Sequence, residues 1–283
     1  MPDASPTVRQ RELGLRLRKL RTSRGLTVEE VAEKLMCSAA KVSRLETGAR
    51  RPVLRDVREL CELYSLDEAM TSELMRLTRQ AREQGWWTQY EDLGLYPYIG
   101  LEQEATSITH YSMYYVPALL QTETYAREII WAVLPRIAPD VHEQRVQARL
   151  RRQERLDDDN PPRYRVLLDE AVLRRPVGSK DLMAGQLQKI LDLVQAAKVT
   201  VQVIPFEAGA CAAADSMFVL LEFAGPLLLP VVFVEGLGGD HYYERSTDIE
   251  RYREAVEHLR DSALKPQESV QFMVDVLRGY ADG

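Results

Sequence analysis

The 283-residue chain has little of several things that would each point to a particular chemistry. Its three cysteines, Cys37, Cys61 and Cys211, stand far apart and form no Cys-x-x-Cys pair. Neither a disulfide framework nor a structural zinc site is therefore expected, and a reducing, cytoplasmic setting fits. Its four histidines, His110, His142, His241 and His258, show no His-Glu-x-x-His spacing, and no Gly-x-Ser-x-Gly elbow occurs. No metal, no cofactor and no catalytic set is expected, and the chain does not read as an enzyme. Long apolar runs are missing too. The most apolar uncharged stretch, residues 223–234, is shorter than the roughly 20 residues of a membrane helix and is broken by Gly225, Pro226 and Pro230. It reads as a strand pair or a strand with a turn in a soluble protein with no membrane partner. The opening stretch MPDASPTVRQRE has no apolar core behind a charged leader and is not expected to direct secretion. No repeat of fixed period is present, which argues against a solenoid.

What is present is enough to fold. With 45% apolar and 28% charged residues, the chain can form one large domain or two ordinary ones, and disorder as the main state is excluded. The overall charge is −6, but it is unevenly spread. Residues 8–58 carry 14 Lys and Arg against 6 Asp and Glu, a local +8, which leaves −14 for the remainder. A polyanion-binding head on an acidic body is the reading this suggests.

The spacing predicts five helices in the first 80 residues. After a loose arm over residues 1–7, Leu13, Leu17 and Leu20 repeat at i, i+4 and i+7 until Gly25 stops the first helix. Thr27 with Glu30 forms a capping box for a second helix over 27–35, and Ser38 caps a third that runs to about Glu46. The basic loop Ala49-Arg50-Arg51-Pro52 leads to a fourth helix through Leu54, Val57, Leu60, Cys61 and Tyr64, and a fifth spans about 67–85. From Trp86-Trp87 onward the character changes. Residues 163–170, 199–206, 216–223 and 230–236 are strand-like, whereas 180–198, 248–263 and 266–279 look helical, with 157–162 a solvated loop. The expected fold class is α+β: an all-α helix-turn-helix domain over 1–80 followed by an α+β domain over 81–283.

The segment of residues 15–52 resembles the helix-turn-helix of the XRE and phage-repressor family. That resemblance implies double-stranded DNA as partner, read by a helix in the major groove and braced by the helix before it. Val31, Leu35, Val42 and Leu45 would fill the core below, with Ala32 small at the crossing. Base-reading positions carried over from the family are Ala39, Ala40 and Arg44. Alanine offers only methyl contact, so specificity is expected from Arg44, which can donate twice to a guanine. Lys41 and Ser43 fall where the family touches phosphate, and the amides at the start of the helix from Thr27 are expected to face another. Ser38, Arg50 and Arg51 complete the DNA-binding set. Val28 replaces the glutamine that braces many relatives. Arg21 and Glu46 retain the family's ion pair and are read as structural and partly buried. A helical corner of this kind could also serve as a protein-binding module, and Arg16, Arg18 and Lys19 alone read as solvated.

Downstream, Gly85-Trp86-Trp87, Leu101-Glu102-Gln103-Glu104-Ala105, residues 115–122 (YVPALLQT), Tyr125-Ala126, Arg152-Gln153-Glu154-Arg155, Leu173-Arg174-Arg175 and Gln186-Leu187 resemble the companion domain of unknown function carried by actinomycete XRE regulators. Ala118 stands where many relatives have glycine. The resemblance implies an antitoxin-like regulator encoded beside a very small protein partner. Trp86, Trp87, Tyr115 and Gln121 are the candidate ligand- or partner-binding residues, and with Tyr90, Tyr96, Tyr98, Tyr111 and Tyr114 the aromatic rings could line a pocket or a partner groove or simply fill the core. Gly236-Leu237-Gly238-Gly239-Asp240 lacks the lysine of a phosphate loop and reads as a turn. Arg145, Arg149 and Arg152 share one helical face and might hold an anion, but Glu143, Glu154 and Asp157 nearby favour surface ion pairs. The expectation is a sequence-specific, dimeric transcriptional regulator controlled by a small protein. Two alternatives stand beside it: a metabolite-responsive regulator, and an enzyme fused to a DNA-binding domain.

Overall fold

Each of the first three helices begins where the sequence supplies a capping side chain. The computed structural model describes residues 7–83, 85–93, 96–211, 216–225 and 227–281, so the expected arm lies, except for Thr7, outside the described residues. Helix α1 (Val8–Thr22) starts at Thr7, which exchanges a reciprocal pair of hydrogen bonds with Gln10. Helix α2 (Val28–Lys34) starts at Thr27 in the expected capping box with Glu30. Helix α3 (Ala39–Glu46) starts at Ser38, whose hydroxyl accepts from the Lys41 amide at 3.2 Å. Helix α4 (Leu54–Leu63) has no side-chain cap, and α5 (Glu68–Gln80) starts at Asp67. The fifth helix is thus shorter than its expected extent, and the chain turns instead into an irregular 3-10 segment, Trp86–Leu93, and helix α6 (Tyr96–Glu104).

The corner between α2 and α3 is closed by backbone alone. Met36 adopts φ +48°, its N–H donates to Glu33 O, and Cys37 N–H donates to Ala32 O at 2.9 Å. This left-handed closure satisfies two of the carbonyls that a helix end leaves open. Leu13, Leu17, Val31, Ala32, Val42, Leu45, Val57, Leu60 and Tyr64 form the core beneath, with Leu20 and Leu35 half-buried against it. Gly14 marks the tightest point. A Cβ there would stand 2.4 Å from Glu46 O and 2.8 Å from Leu45 O, so α1 crosses the last turn of α3 backbone against backbone.

The chain divides into two compact units, residues 1–104 with 225–228 and residues 105–224 with 229–283. In the second, six strands form one mixed sheet in the order β3-β2-β1-β4-β5-β6. These are β1 (Ser107–Ser112), β2 (Arg163–Asp169), β3 (Thr200–Ile204), β4 (Phe218–Glu222), β5 (Val231–Val234) and β6 (His241–Tyr243). Strands β1, β2 and β3 are parallel and are joined through α7 (Glu123–Val133), α8 (Pro139–Gln153), α9 (Glu170–Arg174) and α10 (Lys180–Gln195), because parallel neighbours need a crossover. Strands β4, β5 and β6 run as an antiparallel meander, followed by α11 (Ser246–Ser262) and α12 (Pro266–Ala281). Tyr111 of β1 lies opposite Leu167 of β2 and Phe218 of β4, and this face of the sheet is covered by Ile249, Val256 and Leu259 of α11. Four strands fall within the expected segments. Strands β1 and β6 were not expected, and β1 sits inside the sheet with Ser107, Thr109 and Ser112 buried.

Candidate nucleic-acid interface

Helix α3 is held at its C-terminal end by α1. Arg21, two turns further along the same face of α1 as Gly14, donates Nε to Glu46 Oε1 at 2.6 Å and Nη2 to Glu46 Oε2 at 2.9 Å, and its Nη1 to Leu26 O at 2.7 Å. Both side chains are buried, where the sequence suggested a partly buried pair, and the hydrogen bonds that Arg21 donates to Glu46 push its pKa above its ordinary value despite desolvation. A bidentate pair of this kind fixes direction as well as distance. Tyr64 lies beside it, fully buried, and burial raises its hydroxyl to about 12.

With that end fixed, the other face of α3 is open. Ala40, Ser43 and Arg44 are exposed, as are Arg50 and Arg51 in the loop that follows. Neither Arg44 nor Arg50 meets a carboxylate among the described residues. Arg51 donates Nη2 to Arg82 O at 2.5 Å, while Arg82 returns Nη1 to Pro52 O at 3.1 Å, tying the loop to the end of α5. Ala39 is different: it is half-buried and packs on the core, as does Val28. Lys41 is half-buried and its Nζ lies 2.8 Å from Asp56 Oδ2, so its charge is already answered in part. At the start of α2, Glu30 takes the Thr27 amide and hydroxyl at 2.7 and 3.0 Å, and the bond from the Thr27 backbone lowers its pKa. Exposed Glu29 and Glu30 therefore place negative charge at the helix end that was expected to face phosphate.

The four residues set apart for a ligand or partner fall into two groups. Trp86 and Trp87 belong to the first unit, edge to face at 6.2 Å. The Trp87 indole is wedged beside Gly85 and Gly100, where any Cβ would stand 2.3 and 3.2 Å from the ring. Tyr115 and Gln121 belong to the second unit. Tyr115 donates its hydroxyl to Glu235 Oε2 at 2.8 Å, and Gln121, fully buried, donates Nε2 to Val116 O at 2.6 Å. Arg149 joins them by donating Nη1 to Gln121 Oε1 at 2.9 Å. Of the arginines expected to form a surface row, Arg152 is buried, and Arg145 and Arg149 are half-buried. Of the acids expected beside them, Glu143 accepts from Arg127 and Gln147, and Asp157 pairs with Lys198. Sequence reasoning also missed Lys189 of α10, which donates Nζ to Gln121 O and Gln153 Oε1, both at 2.7 Å. Among the described residues, no three His, Cys, Asp or Glu side chains gather in a way that could hold a metal ion. No described helix is long and apolar enough to cross a membrane.

A helix-turn-helix domain model matches residues 12–74, and the model of a domain of unknown function, DUF5753, matches residues 95–275. The chain belongs to the DUF5753 family. Its N-terminal part is an XRE-like helix-turn-helix, so this DUF5753 chain is a DNA-binding regulator in which the family domain follows the DNA-binding one. No curated protein and no solved structure is similar enough to the chain to match.

Proposed function

We propose that this regulator binds specific sites in double-stranded DNA as a homodimer, and that its second unit receives a small protein partner in an antitoxin-like arrangement. The observation that carries the DNA-reading assignment is the exposed row of Ala40, Ser43 and Arg44 on α3, continued by Arg50, on a helix whose other end is locked by Arg21 and Glu46. Arg44 is the base reader and Arg50 a phosphate contact. Ser38, Ala39, Lys41, Ser43 and Arg51 flank them, with Thr27 and Val28 behind. Dimerisation doubles the few base pairs that one short helix reaches.

Arg44→Ala should cost about 1–3 kcal/mol on the specific site and relax sequence choice. Arg50→Ala should weaken all sequences alike and lower the salt slope by about one. Lys41→Ala mixes two effects, since it also releases Asp56. Titration of specific and random duplexes at several salt concentrations measures all three, and equal losses of Arg44→Ala on both duplexes would refute base reading.

The partner reading rests on the family resemblance and on large apolar side chains left exposed on the second unit, among them Trp131, Val133 and Phe206. Adding the small protein encoded beside this one should raise the melting temperature of the full chain by mass action. A chain that responds to small molecules and not to that protein would replace the partner with a metabolite, the reading favoured by the half-buried cations Arg149 and Lys189 beside Gln121. Turnover that survives removal of residues 1–80 would be the mark of an enzyme.

A further inference from the structure

We infer that the second unit holds a small aminocarboxylate, a molecule with one carboxylate, one ammonium and an apolar body, in the recess between the sheet and α11, with its carboxylate on Arg165. The inference adds a ligand to the second unit and depends on neither DNA reading nor partner control.

The recess follows from a change of character along one face of the sheet. Where α11 covers that face, Tyr111 of β1 lies between Leu167 and Phe218, and all three are buried. Two residues back along β1, the same face presents Thr109 between Arg165 and Leu220, so a guanidinium enters next to the core. Arg165 is half-buried, on a strand paired on both sides, with β1 and with β3. Val256, Glu254, Glu257 and His258 of α11 stand across from this row and bound with it a cavity of about 470 Å³. That is the size of a small-molecule site.

Two polar groups on the sheet side of the cavity have donors to spare. Among the described residues the Arg165 guanidinium meets no acceptor and no carboxylate within ion-pair distance, although Glu254 and Glu257 line the same cavity. Thr109 lines it as well, is only 6% exposed, and its hydroxyl has no hydrogen-bond partner among the described residues. A buried hydroxyl left unpaired costs free energy, and with the forked guanidinium in the same row it makes a donor set for one carboxylate. The other cation of the lining, Arg253, is already engaged: it donates Nη2 to Glu222 Oε1 at 2.9 Å and Nη1 to Glu250 Oε1 at 2.8 Å. Glu257 accepts from Arg260 at 2.9 Å, whereas exposed Glu254 has no cation among the described residues. Acids outnumber Lys and Arg by one in the lining, and still by one when the ion-pair partners Glu250 and Arg260 are added. A phosphate or a plain carboxylate would enter against that balance. A molecule that also brings an ammonium answers Arg165 with one group and Glu254 with the other, and buried Leu220 and Val256 supply apolar surface for its body.

The test uses the full chain without DNA. Leucine, with its ammonium beside the carboxylate, and ε-aminocaproate, with the two at opposite ends, are titrated separately against sodium chloride, read by thermal denaturation and by calorimetry. At least one should give a saturable rise of a few degrees beyond the salt, and the stronger of the two gives the spacing of the charges. Its analogue without the ammonium (isocaproate or caproate) and its analogue without the carboxylate (isoamylamine or pentylamine) should each bind at least about tenfold more weakly. Arg165→Gln breaks no ion pair, should melt within a few degrees of the parent without ligand, and should bind the responding compound at least about tenfold more weakly. Thr109→Val keeps the volume and loses only the hydroxyl; it should melt no lower than the parent and lose about threefold or more in affinity. The inference is overturned if neither compound acts beyond sodium chloride, if either analogue binds as tightly as the responding compound, or if either variant binds as the parent does. It is overturned equally if ligand-free Arg165→Gln melts far below the parent, the mark of a structural arginine.

Discussion

Arg21 of the first unit is buried and Arg149 of the second is half-buried, and the two are treated in opposite ways. Arg21 donates two hydrogen bonds to one carboxylate, and its positive charge is favoured by its surroundings. Arg149 donates one to an amide oxygen, and its charge is disfavoured. The contrast extends to the neighbouring groups. In the first unit, α1 and α3 meet backbone to backbone at Gly14, and Arg21 locks the same crossing two turns further along the same face. In the second, the interior around α8 is lined by Gln121, Gln153, Gln186 and His110, polar groups whose bonds run to backbone carbonyls and to one another. A scaffold for a reading helix needs matched, rigid contacts.

The largest effect that would break this comparison concerns the matched pair. Arg21→Met leaves Glu46 as a buried, unpaired carboxylate and should destabilise the first unit by about 3–5 kcal/mol in denaturant unfolding. A cost near zero would make Arg21 no different from Arg149. Next comes Gly14→Ala, whose methyl has no room beside Glu46 O; a loss of about 1–3 kcal/mol is expected, with weaker DNA binding as α3 shifts. A normally stable variant would show the crossing to be looser than its geometry implies. An effect spread gradually over several pH units sharpens the other side. Burial, then Arg152, lowers His110 from its ordinary 6.5 to about 3. The unfolded chain therefore binds a proton that the folded one does not as the pH falls through this interval. Stability contributed by the neutral ring is complete above about pH 6.5 and is lost toward pH 3, at about 1 kcal/mol per pH unit. Unfolding of the second unit measured from pH 7 to 4 should show that slope, and His110→Gln should flatten it.

Much of the first unit was legible because its signals are local. Thr27 with Glu30, Ser38 and the Leu13–Leu17–Leu20 spacing each act within a few residues, and Arg21 with Glu46 followed from the family pattern. Gly14 was passed over, although a glycine inside a helix is itself a sign of close packing. In the second unit β1 escaped notice because SITHYS alternates polar side chains that the sheet buries, and periodicity has no hold on a strand covered on both faces. The α8 arginines were misread for a related reason. Acids close in sequence looked like partners, yet Glu143 and Asp157 were drawn to Arg127 and Lys198.

The order of residues alone determined where helices start and stop at the N-terminus, which half carries positive charge, and which family the chain resembles. Those properties depend on nearest neighbours and on sums. Only the tertiary structure decided which arginines face water, that Ala39 packs inward while Ala40 does not, and that Lys41 spends its charge on Asp56. The direction in which Lys41 or Arg21 points is set by Asp56 and Glu46, partners distant in sequence, and no local pattern encodes that distance.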